Sequence, residues 1–238
     1  QELNLFGIPV KELAGSAISV RAGVAYVTTG LGFMAAVEVR TGNPRWLASY
    51  EIIDVKPVEY WYKAPIRLPS VAPSPPFVTK DLVIVAPTEG RHFHAYDRKT
   101  GELVWYWPYR PGRSGLPPAH PIQVIGVTES RGQRLLLYAD TRLRALDIDG
   151  EPGKRQAWNS LPLDSPVIGQ GAISGDSVLV TTGDALNRYS ITQQGKFIGS
   201  TPWPERANAG NLVPLSHVLL VTSRASVQWF YDWEALER

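Results

Sequence analysis

The chain has 238 residues, of which 44% are hydrophobic and 19% charged, the balance of a globular protein with enough length to bury a core. A formal charge of +2, with 24 Lys and Arg scattered along the chain, offers no block that tracks phosphates, so no nucleic-acid partner is expected. The absence of cysteine excludes Cys-type zinc sites, thiol catalysis and disulfides, and the apolar stretches fall short of the roughly 20 residues a membrane helix needs.

The chain starts at Gln1 without a charged-then-apolar leader, which reads as a processed product or a cut segment of something longer. Residues 3–10 have the character of a spare outer strand. Two short β-like runs follow, 17–20 and 24–28, and the same pairing recurs at 76–78 with 82–86, 121–127 with 134–139, 171–174 with 177–181, and 211–215 with 218–222. Each pair is joined by a short polar or Gly-containing turn such as Arg21-Ala22-Gly23 or Gly175-Asp176.

After each pair comes a second recurring unit. Ala36-Val37-Glu38-Val39-Arg40-Thr41-Gly42-Asn43-Pro44-Arg45-Trp46 matches Ala95-Tyr96-Asp97-Arg98-Lys99-Thr100-Gly101-Glu102-Leu103-Val104-Trp105, sharing the pattern Ala-x-acid-x-x-Thr-Gly-x-x-x-Trp. Looser copies are Ala145-Leu146-Asp147 with Gly150 and Trp158, Arg188-Tyr189-Ser190 with Gly195 and Phe197, and Phe230-Tyr231-Asp232. The anchors at the acidic position, Glu38, Asp97, Asp147, Ser190 in its place, and Asp232, step by 59, 50, 43 and 42 residues, which suits one four-stranded antiparallel blade of about 40 to 50 residues per repeat. Within a copy, the alternating run is a strand, Thr-Gly supplies a turn with positive φ, and the next strand ends on an aromatic large enough to fill the gap between sheets.

Two connections exceed what a blade needs. Residues 51–72 carry Tyr60, Trp61 and Tyr62, and residues 108–120 carry Tyr109, Arg110 and Arg113. Loops on a rigid scaffold commonly carry function, and Tyr, Trp and Arg dominate protein interfaces, so these six are candidate interaction residues. The alternative is that the aromatics cap the end of the fold or pack on a neighbouring blade. Helical patterning is confined to residues 232–238, where Asp232 can cap a short helix.

The repeated Ala-x-acid-x-x-Thr-Gly-x-x-x-Trp pattern resembles the tryptophan-docking motif of the pyrroloquinoline-quinone-type (quinoprotein-like) β-propellers. The residues that carry it are Ala36, Glu38, Thr41, Gly42 and Trp46, then Ala95, Asp97, Thr100, Gly101 and Trp105. That family holds quinone-dependent alcohol and glucose dehydrogenases and also the non-enzymatic propeller lipoprotein of the outer-membrane β-barrel assembly machine. The resemblance implies an all-β propeller of four-stranded antiparallel blades closing with seven or eight of them, so five units imply an incomplete or truncated propeller. If the gene encodes only these residues, a closed five-bladed ring is the other reading. The repeats run approximately 16–50, 71–110, 120–160, 165–203 and 208–238, as one domain or part of one. WD-type repeats would show Gly-His early and Trp-Asp late in each unit, and neither recurs.

A quinone enzyme of this family needs oxygen ligands for Ca²⁺, an Asp base, cationic partners for the quinone and commonly an adjacent Cys pair. No Cys is present, and no Glu, Asn and Asp cluster at calcium spacing stands out. No cofactor is therefore expected, pyrroloquinoline quinone and calcium being possible only if further blades complete the site. His92 and His94 leave the same face of one strand, as a metal pair would, or as two polar residues on a blade face beside Arg91. No Gly-x-Ser-x-Gly elbow occurs. The expected function is a non-catalytic scaffold for protein partners, outside the cytoplasm as most relatives are. The alternatives are a fragment of a quinone-dependent dehydrogenase, or a ligand-binding or sensor domain of a larger protein.

Overall fold

The computed structural model describes residues 18–29, 32–52, 74–87, 90–108, 122–204, 209–223 and 226–231. All regular structure among them is antiparallel β, in sheets that each follow chain order as a simple meander. The chain divides into two compact units, Gln1–Pro118 and Ala119–Arg238. The fold is an all-β propeller built of blade-like sheets, and no helix of the described residues is long and apolar enough to cross a membrane. The expected outer strand at 3–10 and helix at 232–238 lie outside the described residues.

In the first unit, sheet I consists of β1 (Ile18–Arg21), β2 (Val24–Thr28), β3 (Phe33–Glu38) and β4 (Pro44–Ser49). Sheet II consists of β5 (Phe77–Val78), β6 (Leu82–Val85), β7 (His92–Asp97) and β8 (Leu103–Pro108). In the second unit, sheet III holds β9 (Gln123–Ser130), β10 (Gln133–Ala139), β11 (Arg142–Asp147) and β12 (Gln156–Pro162). Sheet IV holds β13 (Ala172–Ser174), β14 (Ser177–Thr181), β15 (Ala185–Ser190) and β16 (Lys196–Pro202). Sheet V has three strands among the described residues, β17 (Asn211–Pro214), β18 (Val218–Thr222) and β19 (Val227–Tyr231).

One backbone hydrogen bond recurs in the four-stranded sheets and ties the end of the third strand to the first hairpin. Val39 N–H donates to the Gly23 carbonyl, Arg98 to Asp81, Ile148 to Arg134 and Ile191 to Asp176, at 2.9, 2.7, 2.8 and 2.9 Å. The bond extends the ladder between second and third strands by one rung into the first hairpin.

Inner strands that are buried on both faces lose the alternation of a half-exposed strand, as β6 does with four consecutive buried residues. Between sheets I and II the core holds Tyr26, Met34 and Trp46 against Val83, Val85 and Tyr96. Between sheets III and IV it holds Leu135, Leu137 and Trp158 against Val178, Val180 and Tyr189. A smaller cluster of Ala172, Leu212 and Val221, flanked by Trp203 and Phe230, joins sheets IV and V.

Candidate functional site

The docking motif is a piece of hairpin geometry. Ala36 pairs with Trp46, Ala95 with Trp105 and Ala145 with Trp158, and in all three the register slips by a bulge at the next residue. The bulge lets the turn close while the indole keeps its face, which for Trp46 and Trp158 is the one that meets the next sheet. In sheet II, Asp97 Oδ1 accepts the N–H groups of Lys99 and Thr100 at 2.8 and 2.9 Å, and Gly101 N–H donates to the Asp97 carbonyl at 2.9 Å. Those two backbone donors, Thr100 foremost, hold the Asp97 carboxyl below the usual carboxylate range. In sheet I the acid works through a side chain instead, with Thr41 Oγ1 donating to Glu38 at 2.9 Å.

Gly101 is required for two reasons. Its φ is +77°, and a Cβ built there lies 2.6 Å from Trp46 Cδ2, so the indole rests on a bare backbone. Trp46 Nε1–H donates to the Arg98 carbonyl of the same turn at 3.1 Å. The same contact is made between sheets III and IV, where a Cβ on Gly195, also at φ +77°, lies 2.5 Å from Trp158. Trp105 holds the matching register position and is buried like Trp46.

The looser copies depart in instructive ways. In sheet III the side chain of Arg155 is buried in the turn, Nη1 donating to the Ile148 carbonyl at 2.5 Å; burial lowers its pKa, while Asp147 and Asp149 oppose the shift. In sheet IV, Ser190 Oγ replaces the carboxylate and accepts Gln193 N–H at 3.1 Å. Asp176 braces that turn from the first hairpin through the Thr192 hydroxyl and N–H, which keep its carboxyl below its ordinary value. Phe197 is not the counterpart of the tryptophans. Gly195 comes five residues after Ser190, whereas Gly101 comes four after Asp97, and the extra residue shifts the following strand. Tyr189 pairs with Phe197 as Tyr96 pairs with Leu103, and Arg188 pairs with Gly199 as Ala95 pairs with Trp105. Phe197 is accordingly half exposed, edge-on to Tyr189 at 5.5 Å, and Gly199 stands at the tryptophan position.

His92 and His94 lie in the interface between sheets I and II. They project with Tyr96 from one face of β7, their rings 6.0 Å apart and near-perpendicular, with His94 stacked on Tyr96 and 5.8 Å from Tyr50. Tyr106 meets His92 edge-on at 5.4 Å. Burial, aided by His92, pushes the His94 pKa down to about 4, against a smaller opposite pull from the His92 backbone and Glu51. Tyr96 donates its hydroxyl to the Ser49 carbonyl at 3.0 Å, and burial raises its pKa to about 12. Among the described residues no third His, Cys, Asp or Glu joins the two imidazoles in a group able to hold a metal. These rings form an aromatic ladder in which Tyr96 and His94 are buried in the interface, while His92 and Tyr106 carry it out to the rim.

The corresponding space between sheets III and IV is open. Ala185, Asn187 and Ser200 occupy the register positions that His92, His94 and Tyr106 hold in sheet II. The result is a groove of about 1080 Å³, lined by Asn159, Leu161 and Asp164 on one side and Asn187, Tyr189 and Ser200 on the other. Tyr189 at its floor has a pKa raised to about 12, by burial first and by Asp164 second. Ser165 Oγ donates to Asp184 at 2.7 Å and Arg142 Nη1 to the Ser160 carbonyl at 3.1 Å, and beside these polar groups Leu161, Pro162, Ala185 and Phe197 give the lining apolar surface as well.

The six candidate loop residues, Tyr60, Trp61, Tyr62, Tyr109, Arg110 and Arg113, lie outside the described residues. Residues that sequence reasoning missed are those of the groove, Arg155, and Trp203, whose Nε1–H donates to the Thr182 carbonyl at 2.9 Å while the ring meets Phe230. Trp203 carried a usable signal, being a large aromatic at the end of a fourth strand; the groove residues carried none until the register was known.

No protein-family model matches the chain, and no curated protein matches it. Solved structures do. BamB from Moraxella catarrhalis superposes with a TM-score of 0.57 at 18% identity, over 91% of this chain and 57% of that one. The computationally designed Ika8 protein superposes with a TM-score of 0.59 at 12% identity, over 90% of this chain and 57% of that one. At these identities the likeness is one of fold, and the chain spans little more than half the length of either.

Proposed function

We propose that this chain is a non-catalytic propeller of the pyrroloquinoline-quinone type that serves as a scaffold for protein partners, outside the cytoplasm and without a bound cofactor. The observation that carries the reading is the outward face of its rigid sheets. Outer strands leave large apolar side chains in solvent, among them Leu47 at 68%, Tyr106 at 61% and Ile198 at 50% exposure, on strands held by full meander pairing. Such side chains on a pre-formed surface lose little entropy on association, and aromatic anchors dominate interfaces. The fold likeness to BamB and the repeated docking motif support the assignment to this propeller type. The two interfaces described above serve cohesion in one case and leave room in the other.

The test is cross-linking from position 106 or 198 in cells, followed by binding of the identified protein to the purified chain. The expected result is a defined partner whose affinity falls at least tenfold in Leu47→Ser, Tyr106→Ser and Ile198→Ser combined. Tight stoichiometric binding of pyrroloquinoline quinone with dye-linked alcohol or sugar oxidation would replace this reading with a dehydrogenase.

A further inference from the structure

We propose that the groove between sheets III and IV binds an extended polypeptide segment of about five residues, and so is the place where a partner's flexible tail is read. The inference deepens the scaffold reading and rests on it.

The groove results from specific small residues and not from loose packing. The wedge of Trp158 on Gly195 is as tight as that of Trp46 on Gly101. The sheets are therefore held together at the same point, and the space opens beyond it because Ala185, Asn187 and Ser200 replace two histidines and a tyrosine. Of the three large side chains in sheet II only His94 is buried, and a small apolar residue in its place would leave a costly void. Here the replacements are mainly an amide and a hydroxyl, which keep the space wet and able to exchange water for another polar group.

Its shape and chemistry suit a main chain. The floor follows β15, six residues at about 3.3 Å each, giving a trough on the order of 15–20 Å long. The residues on its two sides include parts of β12 and β16, each the last strand of its sheet, whose outer backbone edge pairs with no other strand among the described residues. An extended peptide can pair with such an edge while alternate side chains enter the trough. Asn187 spends one N–H on Thr182 Oγ1 at 3.3 Å, and Asn159 Oδ1 accepts from Arg144 at 3.5 Å; each amide keeps a second N–H and a further lone pair, the donor and acceptor a peptide group requires. Phe197, at 50% exposure, and Leu161, at 80%, supply apolar contact at the rim. Arg142 and Lys196 on the same lining are offset by Asp164 and Asp184, so the trough selects no strongly charged ligand.

The experiment pans a random linear peptide library against the wild-type chain and measures enriched peptides by fluorescence anisotropy. The groove is then filled with residues the protein already uses at the same register, Asn187→His with Ser200→Tyr. Binding is expected to weaken at least tenfold in that variant, and Asn159→Asp, which changes hardly any volume, is expected to weaken it severalfold if the filled variant fails to fold. Absence of enriched peptides, or equal binding to wild type and both variants, overturns the groove proposal. In that event a partner cross-linked through Tyr106 or Ile198 leaves the scaffold reading standing. Recognition of immobilised oligosaccharides that the filled variant loses, without peptide binding, also overturns it and makes the trough a saccharide site.

Discussion

The contact between sheets I and II and the contact between sheets III and IV begin alike and end differently. Both place an indole on a glycine at φ +77° in the next sheet's turn. Beyond that point one is packed with Tyr96 and His94 and rimmed by His92 and Tyr106, and the other opens into a trough of mixed polarity over Ala185, Asn187 and Ser200. The wedge supplies cohesion at one end of each contact, which leaves the remaining register positions free to serve packing in one place and access in another.

The comparison is broken most directly at the wedge. Trp46→Ala and Trp158→Ala should each destabilise by about 3–5 kcal/mol in urea unfolding, by loss of a buried aromatic and the cavity left behind. A large cost at one site and none at the other would mean the two contacts do not share their anchor. Gly101→Ala and Gly195→Ala come next, at about 2–4 kcal/mol, because each adds a Cβ against the indole as well as left-handed strain. Gly42→Ala separates the two causes, since Gly42 has φ +74° with nothing described within 4 Å of a Cβ; it should cost only about 1 kcal/mol.

The filled interface should also be the pH-sensitive one. His94 titrates near 6.5 when unfolded and at about 4 when folded, so the unfolded chain binds the proton first as pH falls. Stability should decline from about pH 6.5 and level off below about 4, and His94→Asn, the residue found at the matching position in sheet IV, should flatten that slope. The Asp97 carboxyl has the opposite ordering relative to charge, with a folded pKa below its ordinary value. Its contribution is present above the unfolded pKa of about 4 and is lost as pH falls through the folded pKa, in a more acid window than that of His94. Asp97→Ala at neutral pH should have the smallest effect of the set, a slight fall in melting temperature, because the two N–H groups it satisfies are at the surface and water can replace it.

Much of the architecture was legible because short-range rules dominate a meander. Runs such as Val24–Thr28 and Ser177–Thr181 are bounded by turn residues whose φ requirements are visible in the sequence, and the spacing of Thr-Gly from Trp marks a hairpin with one bulge. The misplaced Phe197 shows the limit of that method. The tryptophan position lies four residues after the turn glycine in both sheets II and IV, Trp105 after Gly101 and Gly199 after Gly195, so an aromatic two residues after Gly195 falls at the position of Leu103 and not at that of the wedge. The groove was illegible for a related reason. Asn187 and Ser200 are ordinary strand residues until register places them side by side, and only comparison with His94 and Tyr106 reveals what is missing between them.

The backbone bond that fastens each third strand to its own first hairpin, as from Ile191 to Asp176, bears on how the molecule comes into being. Every four-stranded sheet gathers its partners from a single short stretch of sequence, so contact order is low for a β protein and little loop entropy is spent before pairing begins. Such a chain can mature piecewise during synthesis, sheet II offering its bare glycine backbone to the indole of sheet I, and sheet IV to that of sheet III. Stability then grows by nearest-neighbour increments, as in other repeat proteins.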